Sequence, residues 1–146
     1  MADPDTPPLA DQLCFDLYAA SRAVTGAYRP VLQELGLTYP QYLVMLVLWE
    51  RGTCTVRELA DALMLDHGTL TPLLRRMEGN GLVARRRAVG DERFVEVSAT
   101  AAGDAMRVHA TRIHCGMKDV LGLGEAEFVA LQETLRLLTS RVTTQA

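Results

Sequence analysis

A chain of 146 residues, 49% apolar and 23% charged, fits one ordinary globular domain with a real core and is too short for two. No apolar run approaches the roughly 20 residues needed to span a bilayer, and the acidic, proline-rich start Met1-Ala-Asp-Pro-Asp-Thr-Pro-Pro8 is the reverse of a secretory leader. Neither membrane insertion nor export is expected, which leaves the cytoplasm. The net charge of −3 argues mildly against a nucleic-acid partner. Yet between His67 and Arg93 six arginines (Arg75, Arg76, Arg85, Arg86, Arg87, Arg93) stand against three acids (Glu78, Asp91, Glu92), so basic charge is concentrated in one stretch.

In chain order, Leu9, Leu13, Leu17, Ala20, Val24, Ala27, Val31 and Leu35 recur at intervals of three and four and predict one long amphipathic helix over 9–35, closed by Gly36. Thr38 and Pro40 signal the start of a second helix, ended by Gly52, whose Tyr42, Leu43, Met45, Leu46, Leu48 and Trp49 are apolar enough to be buried. Thr55 and Glu58 have the spacing of a capping box ahead of a short helix from Val56 to Leu63. After the turn Met64–Gly68 comes a fourth helix, placed near Thr69 so that Pro72 falls in its first turn. Leu82–Val89 and Arg93–Ser98 read as strands of a hairpin across Gly90-Asp91-Glu92. Thr100 caps a helix running to about Leu121, and Gly124-Glu125 opens a last one bearing Phe128, Leu131, Leu135, Leu138 and Val142.

Two short helices joined by a tight turn and followed by a basic hairpin are the parts of a winged helix-turn-helix, mainly α with a small β-hairpin, whose second helix enters the major groove. Thr69, Thr71, Arg75 and Arg76 then face DNA, since arginine bridges guanine's acceptors or a phosphate and threonine reaches a phosphate or a thymine methyl. Arg85, Arg86, Arg87 and Arg93 serve the wing. The plainer reading of Arg75 and Arg76 is a solvated helix face. Three cysteines, Cys14, Cys54 and Cys115, are an odd number without CxxC or Cys/His spacing, which argues against a disulfide scaffold or a zinc site. His109 and His114 are five apart, off the one-turn geometry a metal wants, so no metal or cofactor is expected.

Asp91-Glu-Arg93 followed by Val95, Val97, Thr100 and Gly103 resembles the wing signature of MarR-family regulators, with Ala99 where a leucine is usual. Leu13-Cys-Phe-Asp-Leu-Tyr18 with Ser21-Arg22, Leu37-Thr-Tyr-Pro-Gln-Tyr-Leu-Val-Met-Leu46 with Leu48-Trp49, and Leu65-Asp-His-Gly-Thr-Leu-Thr-Pro-Leu-Leu74 resemble the organic-hydroperoxide repressors of that family, His67 standing where a serine is usual. The resemblance implies one domain over 1–146 that forms an obligate homodimer through helices in 9–36 and 100–144. The winged helix over 40–98 then reads a pseudo-palindromic double-stranded operator, with Pro72 and Asp91 joining the DNA-binding set.

It also implies that Cys14 is the peroxide-reactive thiol and that Tyr28 and Tyr39 reach it as hydroxyl donors from the other subunit, Tyr18 being a third candidate one turn along. With the helix starting at Leu9, Cys14 lies beyond the first turn and between Asp11 and Asp16, so nothing local favours the thiolate. Phe15, Leu17, Met45 and Trp49 are expected to line an apolar pocket for alkyl or lipid hydroperoxides. Taken without the resemblance, a lone cysteine on an apolar face is a small buried hydrophobe. Cys115 lies near where two-cysteine relatives keep a resolving cysteine, the alternative being a small cellular thiol, and Cys54 reads as structural. Two other readings are a repressor released by a non-covalent lipophilic ligand and a thiol peroxidase. The latter lacks a catalytic base or CxxC beside the cysteine.

Overall fold

The computed structural model describes residues 5–145. A 3-10 turn (Leu9–Asp11) is followed by α1 (Leu13–Gln33), α2 (Tyr39–Arg51), β1 (Cys54–Thr55), α3 (Val56–Leu63), α4 (His67–Gly79), β2 (Val83–Ala88), β3 (Asp91–Ala99) and α5 (Ala101–Ala105). A second 3-10 turn (Met106–His109), α6 (Ala110–Leu121) and α7 (Glu125–Gln145) complete the chain. It divides into two compact units, with the boundary between Ile113 and His114.

Local chemistry sets most element ends. Thr38 Oγ1 accepts the Gln41 amide at 3.4 Å while Gln41 Oε1 accepts the Thr38 amide at 3.0 Å, a reciprocal cap that opens α2 with Pro40 in its first turn. Thr55 and Glu58 do the same for α3 at 3.1 and 2.7 Å. That helix stops at Met64, whose φ of 54° is left-handed.

The first helix starts later than its apolar repeat predicts. The Pro8 and Leu9 carbonyls accept the Asp11 and Gln12 amides at 3.1 Å each, which closes a 3-10 turn, and extended Gln12 (φ −92°, ψ 100°) then caps a fresh helix at Leu13. Cys14 is therefore the second residue of α1, inside its first turn. The helix expected from Thr100 to Leu121 is also interrupted. Thr100 caps it as read, accepting the Gly103 amide at 3.1 Å, but the Gly103 carbonyl accepts the Met106 amide three residues on, as well as the Trp49 indole N–H at 3.2 Å, and the chain passes into a 3-10 turn.

The fourth helix begins at His67, two residues earlier than expected, because Asp66 rather than Thr69 is its cap: Asp66 accepts the Thr69 amide at 3.2 Å and the Thr69 hydroxyl at 2.6 Å. Pro72 is then the sixth residue, beyond the first turn, and the Gly68 carbonyl loses its helical donor. The sheet has three strands rather than two. Short β1 adds to the hairpin in the order β1-β3-β2, all antiparallel, with Cys54 opposite Val97, Arg86 opposite Glu96, and a bulge between Arg87 and Ala88.

In the first unit Val44, Met45 and Leu48 of α2, Leu59 of α3, and Leu70, Leu74 and Met77 of α4 pack out of solvent with Val83 and Val97 of the sheet. Met45 is fully buried and Trp49 nearly so, so they are core residues and do not join Phe15, which is exposed, in the expected peroxide pocket. Gly103 packs so closely that an added Cβ would strike the Leu82 carbonyl oxygen and lie 2.9 Å from Met45 Cε. Gly103→Ala is therefore expected to cost about 1–3 kcal/mol through overpacking, read as a lower urea midpoint with an unchanged slope.

Candidate functional site

Along α4 the side chains divide cleanly. Leu70, Leu73, Leu74 and Met77 are buried, whereas Thr69, Pro72, Arg75 and Arg76 are exposed and Thr71 is half-buried. The helix thus offers one cationic, hydroxyl-bearing face held rigid by its apolar one. Thr69 is partly spent, since its hydroxyl serves Asp66. Arg75 has no hydrogen-bond or ion-pair partner among the described residues, and its charge is free for a phosphate or a base edge.

The four wing arginines differ in their surroundings. Arg85 is turned to α4, donating to Glu78 Oε1 at 3.0 Å while its amide donates to Glu78 Oε2 at 3.2 Å, and its Nε is buried without a partner. It joins the wing to the recognition helix instead of extending from it. Arg86 lies 3.5 Å from Glu96 on the paired strand, and Arg87 is exposed opposite Val95. Arg93 stays exposed at the wing turn but is oriented by a two-pronged pair, donating to Asp91 Oδ1 at 3.0 Å and Oδ2 at 2.8 Å. Asp91 is thus an orienting group for Arg93. Sequence reasoning missed Glu78, because its partner Arg85 lies past the end of α4 on β2, and the pair is made by the turn between them rather than by a helix or strand period.

Cys14 is exposed at the start of α1, Cys115 is exposed on α6, and Cys54 is buried in β1 with its thiol pushed up by burial and then by Glu58. Cys14 lies in the first turn of α1 rather than beyond it as expected, at the positive end of the helix and still between Asp11 and Asp16 in the chain. Tyr18 is exposed one turn along, with the Arg22 guanidinium 5.5 Å from its ring centre.

Tyr28 and Tyr39 are brought together, ring centres 4.8 Å apart, and Tyr42 lies 6.0 Å from Tyr28 and 6.3 Å from Trp49. Burial raises all three phenols above their ordinary range, with neighbouring tyrosines adding to it at Tyr28 and Tyr42, so each keeps a proton to donate. At 1.5 Å per residue, the fourteen steps from Cys14 to Tyr28 separate them by about 21 Å along α1. The tyrosine pair cannot touch its own chain's Cys14.

A buried-faced helix after a tight turn, backed by a three-stranded sheet whose hairpin carries arginines, is a winged helix-turn-helix. The MarR family model matches residues 37–95. The organic hydroperoxide resistance transcriptional regulator of Bacillus subtilis (strain 168) is 50% identical over 105 residues, covering 72% of this chain and 71% of that protein. The solved structure of reduced AbfR bound to DNA is 32% identical with a TM-score of 0.76, covering 92% of this chain and 94% of its own. That of disulfide-formed AbfR is 34% identical with a TM-score of 0.65, covering 90% and 92%. This chain belongs to the MarR family.

Three carboxylates of this face titrate below the usual range: Asp66 through the Thr69 hydroxyl, Glu78 through hydrogen bonds from Arg85, and Asp91 through those from Arg93. Their folded values lie below the unfolded ones, so their stabilisation is complete above the ordinary carboxylate range of about 4 and is lost as pH falls through the depressed values. The melting temperature is expected to hold near neutrality and fall below about pH 4. The fall is shallower in a combined Asp66→Asn, Glu78→Gln, Asp91→Asn variant. An identical acid profile in that variant contradicts the assignment.

Proposed function

We propose that this protein is a cytoplasmic, homodimeric transcriptional repressor that senses organic hydroperoxides through Cys14 and then releases its operator. The observation that carries the reading is the placement of Cys14: exposed, at the positive end of α1, and out of reach of the two proton-keeping tyrosines of its own chain. The likeness to a hydroperoxide-resistance regulator supports the signal, and the likeness to a DNA-bound regulator with a disulfide form supports coupling of thiol chemistry to DNA binding.

Dimerisation is supported by each unit taken by itself. In the first, α1 leaves Leu13, Phe15 and Tyr18 exposed. In the second, α7 runs 21 residues with no buried side chain and exposes Leu131, Leu135, Leu137 and Val142. Helices of this kind gain their stability by packing an apolar face, which a second copy supplies.

A two-fold dimer sets two α4 helices about 34 Å apart, one DNA turn, and so reads a pseudo-palindrome. Thr69, Thr71, Pro72, Arg75 and Arg76 face the groove, and Arg86, Arg87 and Arg93 of the wing reach the flanking backbone. Arg85 and Asp91 hold that wing in place.

In the sensing step the Cys14 thiolate attacks the terminal oxygen of ROOH. The O–O bond breaks as the S–O bond forms, sulfur loses two electrons to the peroxide, and the alkoxide takes a proton and leaves as ROH. Tyr28 and Tyr39 of the partner subunit donate hydrogen bonds to the thiolate beforehand. The sulfenic acid then condenses with a thiol, losing water. Cys115 of the partner subunit is the proposed resolving group, and a small cellular thiol is its substitute.

Cys14→Ser is expected to bind operator with native affinity and to stay bound under an organic hydroperoxide that releases the native protein, as read by fluorescence anisotropy. Release of the variant at native peroxide concentrations contradicts the reading. Arg75→Ala is expected to weaken operator binding about tenfold or more while leaving Cys14 oxidation unchanged.

A further inference from the structure

A cavity of about 370 Å³ opens between the C-terminal half of α1 and the start of α2, within the range of small-ligand pockets. Its walls differ in character. Leu32, Leu37 and Pro40 give it an apolar floor, while Thr25, Arg29 and Gln33, four residues apart in turn, place a polar stripe of α1 along one side. The Thr25 hydroxyl is already spent on the Ser21 carbonyl at 2.7 Å. Neither the Arg29 guanidinium nor the Gln33 side-chain amide has a hydrogen-bond or ion-pair partner among the described residues.

A permanently charged fork and an adjacent amide donor, unmatched by any acid and set over apolar walls, are complementary to a carboxylate on an alkyl chain. Tyr39 lines the same cavity. On the reading above it is also a donor to the partner subunit's Cys14, which would bring a molecule held here towards the reacting sulfur.

We propose that this cavity is the anchoring site for a carboxylate-bearing hydroperoxide, a peroxidised fatty acid, with Arg29 and Gln33 holding the carboxylate and Leu32, Leu37 and Pro40 the chain. The proposal rests on Cys14 being the sensor. It makes Arg29 a positioning residue: it takes no part in the oxidation and sets which hydroperoxides reach the sulfur fastest. Neutral hydroperoxides still react, without the anchor.

The test uses the reduced full-length protein and follows the rate of Cys14 sulfenic acid formation, trapped with dimedone, for linoleic acid hydroperoxide, its methyl ester and cumene hydroperoxide. Arg29→Gln is expected to slow the acid about tenfold, the loss of one charge-assisted contact, and to leave the ester and cumene hydroperoxide unchanged. Arg29→Lys restores most of the rate, and Gln33→Ala acts in the same direction as Arg29→Gln but less. Dodecanoate, which carries no peroxide, competes with the acid in the native protein and not in Arg29→Gln. Equal slowing of all three peroxides, or of none, overturns the anchor while leaving the sensor intact. A native Cys14 inert to cumene hydroperoxide as well overturns the sensor itself, and the anchor with it.

Discussion

The surroundings of Cys14 depend on where α1 begins. Because a 3-10 turn ends at Asp11 and extended Gln12 restarts the chain, Cys14 enters the helix as its second residue and faces solvent. The same rigid helix carries Tyr28 about 21 Å away, and Tyr39 packs against it. One chain thus holds a sulfur at the positive end of a dipole and, far from it, a pair of phenols kept protonated by burial. On the proposed function a site with all three parts forms only between two chains, so sensing and dimerisation become one requirement.

The DNA-binding face is built for rigidity. Leu70, Leu74 and Met77 seat α4 in the core, Asp66 fixes its first turn, and Glu78 near its last turn holds Arg85 of the wing. Helix α4 and the wing are therefore joined as one piece through the Glu78–Arg85 pair. Arg85 illustrates the trade: its Nε is buried unpartnered, a cost accepted where the other guanidinium nitrogen makes a 3.0 Å pair.

Much of this was legible in the chain. The capping residues Thr38, Thr55 and Thr100 mark helix starts by side-chain chemistry that acts within three residues, and the structure keeps all three. What the sequence hid was non-local or competitive. The apolar repeat from Leu9 runs straight across Gln12, and backbone conformation rather than hydrophobic period decides the break there. Two-residue β1 is too short to carry a pattern, and its existence depends on β3 alongside. Trp49 looked like a pocket wall by residue type, but its indole is committed to Gly103 across 54 residues of sequence. Arginine spacing drew attention to the wing, yet only the fold separates Arg85, turned inward, from exposed Arg93.

The central claim is that the sensor is shared between subunits, and mixed dimers test it directly. One chain carries Cys14→Ser and the other Tyr28→Phe with Tyr39→Phe, so that each homodimer lacks a complete site. A mixed dimer regains one, made of the sulfur of the second chain and the phenols of the first. The account predicts that mixing restores native-rate oxidation to a single Cys14 per dimer. Native-rate oxidation in the Tyr28→Phe, Tyr39→Phe homodimer, or no recovery on mixing, would contradict it.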